Sequence, residues 1–145
     1  MLAWLLAGST TLAAAGPRLA ILSFSDDAGF QGEWNLGQEV PISLGEHLTG
    51  MSSLDVVDAD SVWAAEKSSR SDGKSGQDLA IAVGEKLQAD FVVTGVVSAC
   101  GIRRVVAGDP NLGGYRSFTY AIGFEDVDLT RTATSTVVRT MSVVR

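Results

Sequence analysis

The sequence predicts a single α/β (α+β) domain, a mixed sheet with helices packed on it and an antiparallel meander at the C-terminal end. Three observations carry this. Two uncharged, almost wholly apolar runs, residues 19–24 (LAILSF) and 91–97 (FVVTGVV), have the composition of short strands buried on both faces. Between them lie apolar stripes at helical spacing. After residue 98 the chain reads as a hairpin around a tip dense in turn residues, 107–114 (AGDPNLGG), with period-two alternation on the return arm. The expected order is β-α-β-α-α-β-β-β.

Each element has its own warrant. Residues 26–37 are rich in Gly, Asp and Asn and read as a loop leading into the first helix. In that helix Val40, Leu44, Leu48 and Met51 recur at i, i+4, i+8 and i+11, while Glu39, Ser43, Glu46 and His47 fall off the stripe. Pro41 has no N–H to give, so the helix is expected to begin between Gly37 and Val40. Gly50 and the following serines are expected to end it. Residues 54–57 (LDVV) form a second strand, with Asp58 or Asp60 as N-cap of a short helix through 62–65. The stretch 67–77 (KSSRSDGKSGQ) holds no apolar residue and predicts a solvated loop. Leu79, Val83 and Leu87 restore a helical stripe. On the hairpin's return arm Phe118, Tyr120, Ile122 and Phe124 alternate with Ser117, Thr119, Ala121 and Gly123, which puts one face on the core. Residues 136–144 complete the meander. The domain is expected over 16–145, and a strand pattern that reaches the last residues reads as a chain cut short.

Composition limits the chemistry. One Cys and one His cannot supply a Cys/His zinc site, c-type haem, an iron-sulfur cluster or a disulfide framework. Any Ser-His-Asp or Cys-His scheme would have to use His47. The formal charge is −6, with the acidic surplus in the first hundred residues. Such a surface repels a phosphate backbone unless Arg103, Arg104 and Arg116 cluster, so no nucleic-acid partner is expected.

Residues 1–17 (MLAWLLAGSTTLAAAGP) are uncharged and apolar, and Ala13-Ala14-Ala15 fits a small-residue cleavage site. A signal peptide over 1–15 and an exported product are expected, although no Lys or Arg precedes the apolar run. A buried N-terminal helix is the alternative. A membrane span is not expected, because Gly8 to Thr11 interrupt the roughly 20 apolar residues that spanning takes. No Cys near the cleavage point offers a lipid anchor.

Candidate sites are few. Asp26 and Asp27 lie just past the carboxyl end of the first strand, where α/β folds tend to place ligands. Asp55, Asp58 and Asp60 form a second acidic set, and neither set matches an EF-hand. Helix caps and a loop edge are the reading given to both, and no metal site or catalytic residue is assigned. A small metal-dependent hydrolase built on Asp26, Asp27 and His47 is the enzymatic alternative. Glu46 is no partner for His47, since neighbours on a helix do not face each other. Cys100, in a strand, reads as a small core residue. Gly108, Gly113 and Gly114 are turn glycines, without the strand-loop-helix context of a phosphate loop. Phe30 and Trp34 in the Gly-rich loop either cover the core or anchor a partner. Together with Asp109, Asn111 and Leu112 of the hairpin tip they form the expected interaction surface.

Four stretches, 19–26 (LAILSFSD), 54–62 (LDVVDADSV), 89–95 (ADFVVTG) and 124–129 (FEDVDL), carry a family resemblance in their order and spacing. They resemble the CsgG family, founded on the curli secretion channel, and more loosely the TolB amino-terminal domain and the LpoB-type activators of peptidoglycan synthases. The resemblance implies a non-enzymatic α/β domain of the periplasm or outer membrane of a Gram-negative bacterium. Such a domain works through contacts with envelope proteins or with itself, and has no cofactor. Two features depart from the curli channel, which is a lipoprotein and carries transmembrane hairpins where this chain has 98–116. Here Arg104 shares a strand face with Ile102 and Val106, and Arg103 shares the other with Val105, unlike a lipid-facing strand of about 10 residues. A pore-less relative acting in secretion or envelope assembly is therefore expected, with an LpoB-like regulator of a cell-wall synthase as the alternative.

Overall fold

A computed structural model describes residues 16–51 and 53–144. The signal peptide expected at 1–15 lies outside the described residues. So do the side chains at 102–107 and 115–120, and with them the expected faces of Arg103, Arg104, Arg116, Phe118 and Tyr120. The elements are β1 (Arg18–Ile21), β2 (Ser25–Asp26), α1 (Leu36–Met51), β3 (Asp55–Val56), α2 (Ala59–Ser71), α3 (Gly76–Leu87), β4 (Phe91–Ala107), β5 (Tyr115–Arg131) and β6 (Thr136–Val144). Apart from the small added strand β2, this is the expected order.

Three helices pack on an open mixed sheet in the order β3-β1-β4-β5-β6. β1 runs parallel to β3 and β4, and β4, β5 and β6 form the antiparallel meander. The first apolar run is not one strand: it breaks after Ile21, and β2 then pairs with Val96 and Val97 of β4. Period-two alternation divides the core between two faces. Ala20 and Leu22 join Val57, Val62, Ala65, Leu79, Val83 and Val92 under α2 and α3. Leu19, Ile21 and Phe24 join Leu36, Val93 and Val97 on the α1 side.

One-residue register shifts keep these faces consistent. Asp126, with φ of 47°, bulges out of β5, so that Phe124 and Val127 share the α1 face although they are an odd number of residues apart. A second shift between Val97 and Ala99 does the same for Val97 and Cys100 in β4.

α1 begins at Leu36, one residue ahead of the expected window, and holds Pro41 in its second turn. The carbonyl that Pro41 cannot satisfy belongs to Gly37, and it accepts the Phe24 N–H at 2.8 Å instead. A Cβ on Gly37 would lie 2.3 Å from the Phe24 carbonyl oxygen, so this close approach requires glycine. The helix ends at Met51, between Gly50 and Ser53 as expected. Met51 is 72% exposed, so the working stripe is Val40, Leu44 and Leu48.

The expected loop at 67–77 is also corrected. Asp58 is the N-cap of α2, but the helix continues to Ser71 and leaves only residues 72–75 as connection. Val62, Ala65, Glu66 and Ser69 are its buried face, so the core-facing stripe includes polar residues that an apolar periodicity does not register.

Candidate interaction surface

Phe30 and Trp34 stack on each other in the loop between β2 and α1, with ring centroids 6.4 Å apart and planes 27° apart. Gly32 sits between them, and a Cβ there would come within 2.1 Å of Phe30 Cζ, so the loop folds tightly over its own aromatic ring. Phe30 is half-buried and packs on the α1-side core, whereas Trp34 is 70% exposed. Of the two readings the sequence left open, covering the core describes Phe30, while Trp34 stacks on Phe30 with its ring largely exposed. Together with Glu33, Cys100, Gly101, Ala121 and Ile122 they line an open, mostly apolar cavity of about 730 Å³. Cys100 is a free, half-buried thiol in this wall.

Ile122 also lines a second apolar groove, of about 450 Å³, with Phe24, Leu44, His47, Phe124, Met141 and Val143. The two depressions share Ile122 on the α1 side of the sheet. Phe24 and Phe124 meet edge to face at 6.4 Å in the floor of the groove. The groove runs out to β6, an edge strand with exposed Val137, Val138, Met141 and Val143. Nothing in the sequence pattern separated these from core positions, because β propensity is the same for a covered and an open strand.

The hairpin tip is a tightly held turn. Asp109 Oδ1 accepts the Asn111 N–H at 2.9 Å, and its carbonyl accepts the Leu112 and Gly114 N–H groups, each at 3.0 Å. Gly108 and Gly113 both have φ of +84°, which the turn requires and glycine supplies without strain. Leu112 projects from this apex, 85% exposed. The tip and the Phe30–Trp34 pair do not form one patch. Asp109 is eight residues beyond Gly101, six of them in β4, which alone span about 20 Å at the usual rise.

The acidic sets serve local structure. Asp26 Oδ1 accepts the Ala28 N–H at 3.1 Å, and the Asp27 N–H pairs with the Val97 carbonyl at 2.9 Å. Asp55 bridges to Arg18 at 3.1 Å, and Asp60 is exposed. Asp58 accepts the Ser61 N–H at 2.8 Å and its hydroxyl at 2.7 Å. These two bonds hold the Asp58 carboxyl below the usual carboxylate range. His47 is exposed on α1, on the wall of the apolar groove. Among the described residues, no group of three or more His, Cys, Asp or Glu side chains is placed to hold a metal ion.

Sequence reasoning missed Glu66, which is 4% exposed. Its Oε2 accepts the Ser23 N–H at 3.2 Å and the Ser23 hydroxyl at 2.7 Å, which joins α2 to the end of β1. Arg70, one turn later, lies 3.5 Å from Oε1. That Glu-Arg spacing of four was the available sign of a helix through this polar stretch. A cavity of about 320 Å³ beside Glu66 is lined with polar groups, among them Ser23, Gln77, Thr94, Asp126 and Asp128.

No protein-family model matches the sequence, and no curated protein matches it. Solved structures do resemble the fold. The LpoB C-terminal domain from Salmonella enterica superposes with a TM-score of 0.54 at 15% identity, over 90% of this chain and 83% of that one. Lipoprotein GNA1162 from Neisseria meningitidis gives 0.57 at 11% identity, over 88% and 81%. A PelC dodecamer from Paraburkholderia phytofirmans gives 0.51 at 14% identity, over 91% and 73%. At such identities the likeness is one of fold: the chain is built like the LpoB C-terminal domain and these two other proteins.

Proposed function

We propose that the chain is a non-enzymatic protein-interaction domain of the Gram-negative envelope, and that it acts as an LpoB-like regulator of a cell-wall synthase. The apolar, exposed edge strand β6 beside the Phe24–Phe124 groove carries this reading. An unpaired edge offers main-chain partners to an incoming strand, and a flanking apolar groove takes its side chains. The LpoB-type resemblance in the sequence and the LpoB-like fold support the regulator over a secretion component. The uncharged segment 1–15 supports export, and among the described residues no helix is long and apolar enough to cross a membrane.

The test is affinity capture from solubilised Gram-negative envelopes, with the wild type and Met141→Glu as paired baits. Recovery of a cell-wall synthase by the wild type and its loss in the variant is the expected result. Recovery of a secretion or outer-membrane assembly component instead would favour the CsgG-like role. Equal capture by both baits would remove β6 from the interface.

A further inference from the structure

We infer that the segment received at β6 is an antiparallel strand whose side chains toward α1 run apolar, apolar, acidic at alternate positions from its N-terminal end. This rests on the edge-strand reading above and specifies the chemistry of the partner segment.

The register supplies the apolar part. Residues opposite each other in an antiparallel pair share a face. Val143, Met141 and Arg139 of β6 stand opposite Phe124, Val127 and Leu129 of β5, which all pack on the α1-side core. The bulge in this stretch belongs to Asp126 on β5, so β6 alternates regularly and presents the three side chains in one row. All three are exposed, and β6 is the last strand of the sheet. Met141 and Val143 line the groove with Phe24, Leu44 and Phe124, and no carboxylate lines it among the described residues. Incoming side chains opposite these two are therefore apolar.

The far end of the row is cationic. Arg131 of β5 stands opposite Phe91, another α1-side residue, and its guanidinium lies 5.5 Å from the centroid of that ring. It is two residues beyond Leu129, which makes Arg131 and Arg139 diagonal neighbours on one face. Neither takes part in a salt bridge among the described residues. Asp128, which accepts the Thr140 hydroxyl, is on the opposite face. An acidic side chain opposite Arg139 meets two cations without a competing carboxylate, whereas a basic one there meets two like charges.

Direction follows from the meander. β4, β5 and β6 already alternate, and the antiparallel ladder is the slightly stronger one. A strand that continues the alternation meets Val143 first, then Met141, then Arg139.

Three end-blocked peptides test this by titration into the isotope-labelled full chain, with binding read from amide chemical shifts. They are Val-Thr-Ile-Thr-Glu-Thr, the same sequence with Lys for Glu, and the reversed sequence Thr-Glu-Thr-Ile-Thr-Val. The first should bind with shifts centred on β6, about fivefold tighter than the Lys peptide. The reversed peptide should bind more weakly than the first, and added salt should narrow the preference for Glu over Lys. Arg139→Glu should bring the Lys peptide at least level with the Glu peptide, a gain that misfolding cannot produce. Met141→Glu should weaken the Glu peptide by about tenfold.

Equal binding of the Glu and Lys peptides, a Glu preference that survives Arg139→Glu, tighter binding of the reversed peptide, or no binding at all would each overturn the inference. The outcome is read separately from the proposed function. A peptide preference of this pattern with no synthase among the captured proteins would remove the regulator role and leave the inference standing. A synthase captured through Met141 without that preference would do the reverse.

Discussion

The two faces of the sheet are covered unequally. On one, Val62 of α2 and Val83 of α3 close over Ala20, Leu22 and Val92, and all five are all but sealed from solvent. On the other, α1 alone covers Leu19, Ile21 and Phe24, while Val40, Leu44, Ile122 and Phe124 are only partly buried. Small aliphatic side chains on the first face let two helices approach closely and complete a core. The aromatic rings and the long meander of the second extend past the reach of one helix. Stability is thus concentrated on the closed face, and apolar surface that water still touches is concentrated on the open one.

Substitutions on the two faces should separate accordingly. Leu22→Ala, in the closed core, should cost the most, about 2–5 kcal/mol in urea unfolding, because packed neighbours cannot collapse into the cavity left behind. A cost under about 1 kcal/mol would mean that the closed face is not the stable one. Gly37→Ala drives a methyl group into the Phe24 carbonyl where α1 enters the fold, and should cost about 1–3 kcal/mol. Glu66→Ala leaves the half-buried Ser23 N–H and hydroxyl without their acceptor and should cost about 1–3 kcal/mol, whereas Glu66→Gln should retain part of it.

Asp58 gives a weaker, pH-dependent contrast. Its carboxyl titrates below the ordinary 3.8 because Ser61 donates to the charged form. The stability it adds is complete above that ordinary value and is lost as the pH falls through the lowered one. Thermal melts taken downward from about pH 5 should show this component, and Asp58→Asn should remove it. Trp34→Ala should do least, shifting unfolding by no more than about 0.5 kcal/mol, since its ring is largely exposed and buries little on the core. A large loss there would make the open face part of the stability core after all.

Much of this architecture was legible in the residues. The two apolar runs, the Asp58 cap, the turn-rich tip and the alternation of the return arm each depend on forces that act within a few residues. Errors arose where a distant group intervened. Pro41 was expected in the first turn, yet the Phe24 N–H takes over the carbonyl that proline abandons. The polar run after Glu66 read as loop because its buried carboxylate finds a partner in Ser23, 43 residues away. Phe30 and Trp34 stood out as aromatic residues in a Gly-rich loop, but their roles divide only once Cys100 and Ile122 are placed beneath them.

The sequence by itself determined the order of elements, the position of the caps and turns, the negative charge and the lack of Cys and His ligands. Hydrophobic period, backbone preference and composition are local properties, and they survive without knowledge of any partner. Only the tertiary structure decided which face is closed, where β6 is left as an exposed edge, and how far the hairpin tip stands from the aromatic pair. Those depend on how many helices reach each face and on two one-residue bulges in a long hairpin. Neither is written in the spacing of the side chains they redirect.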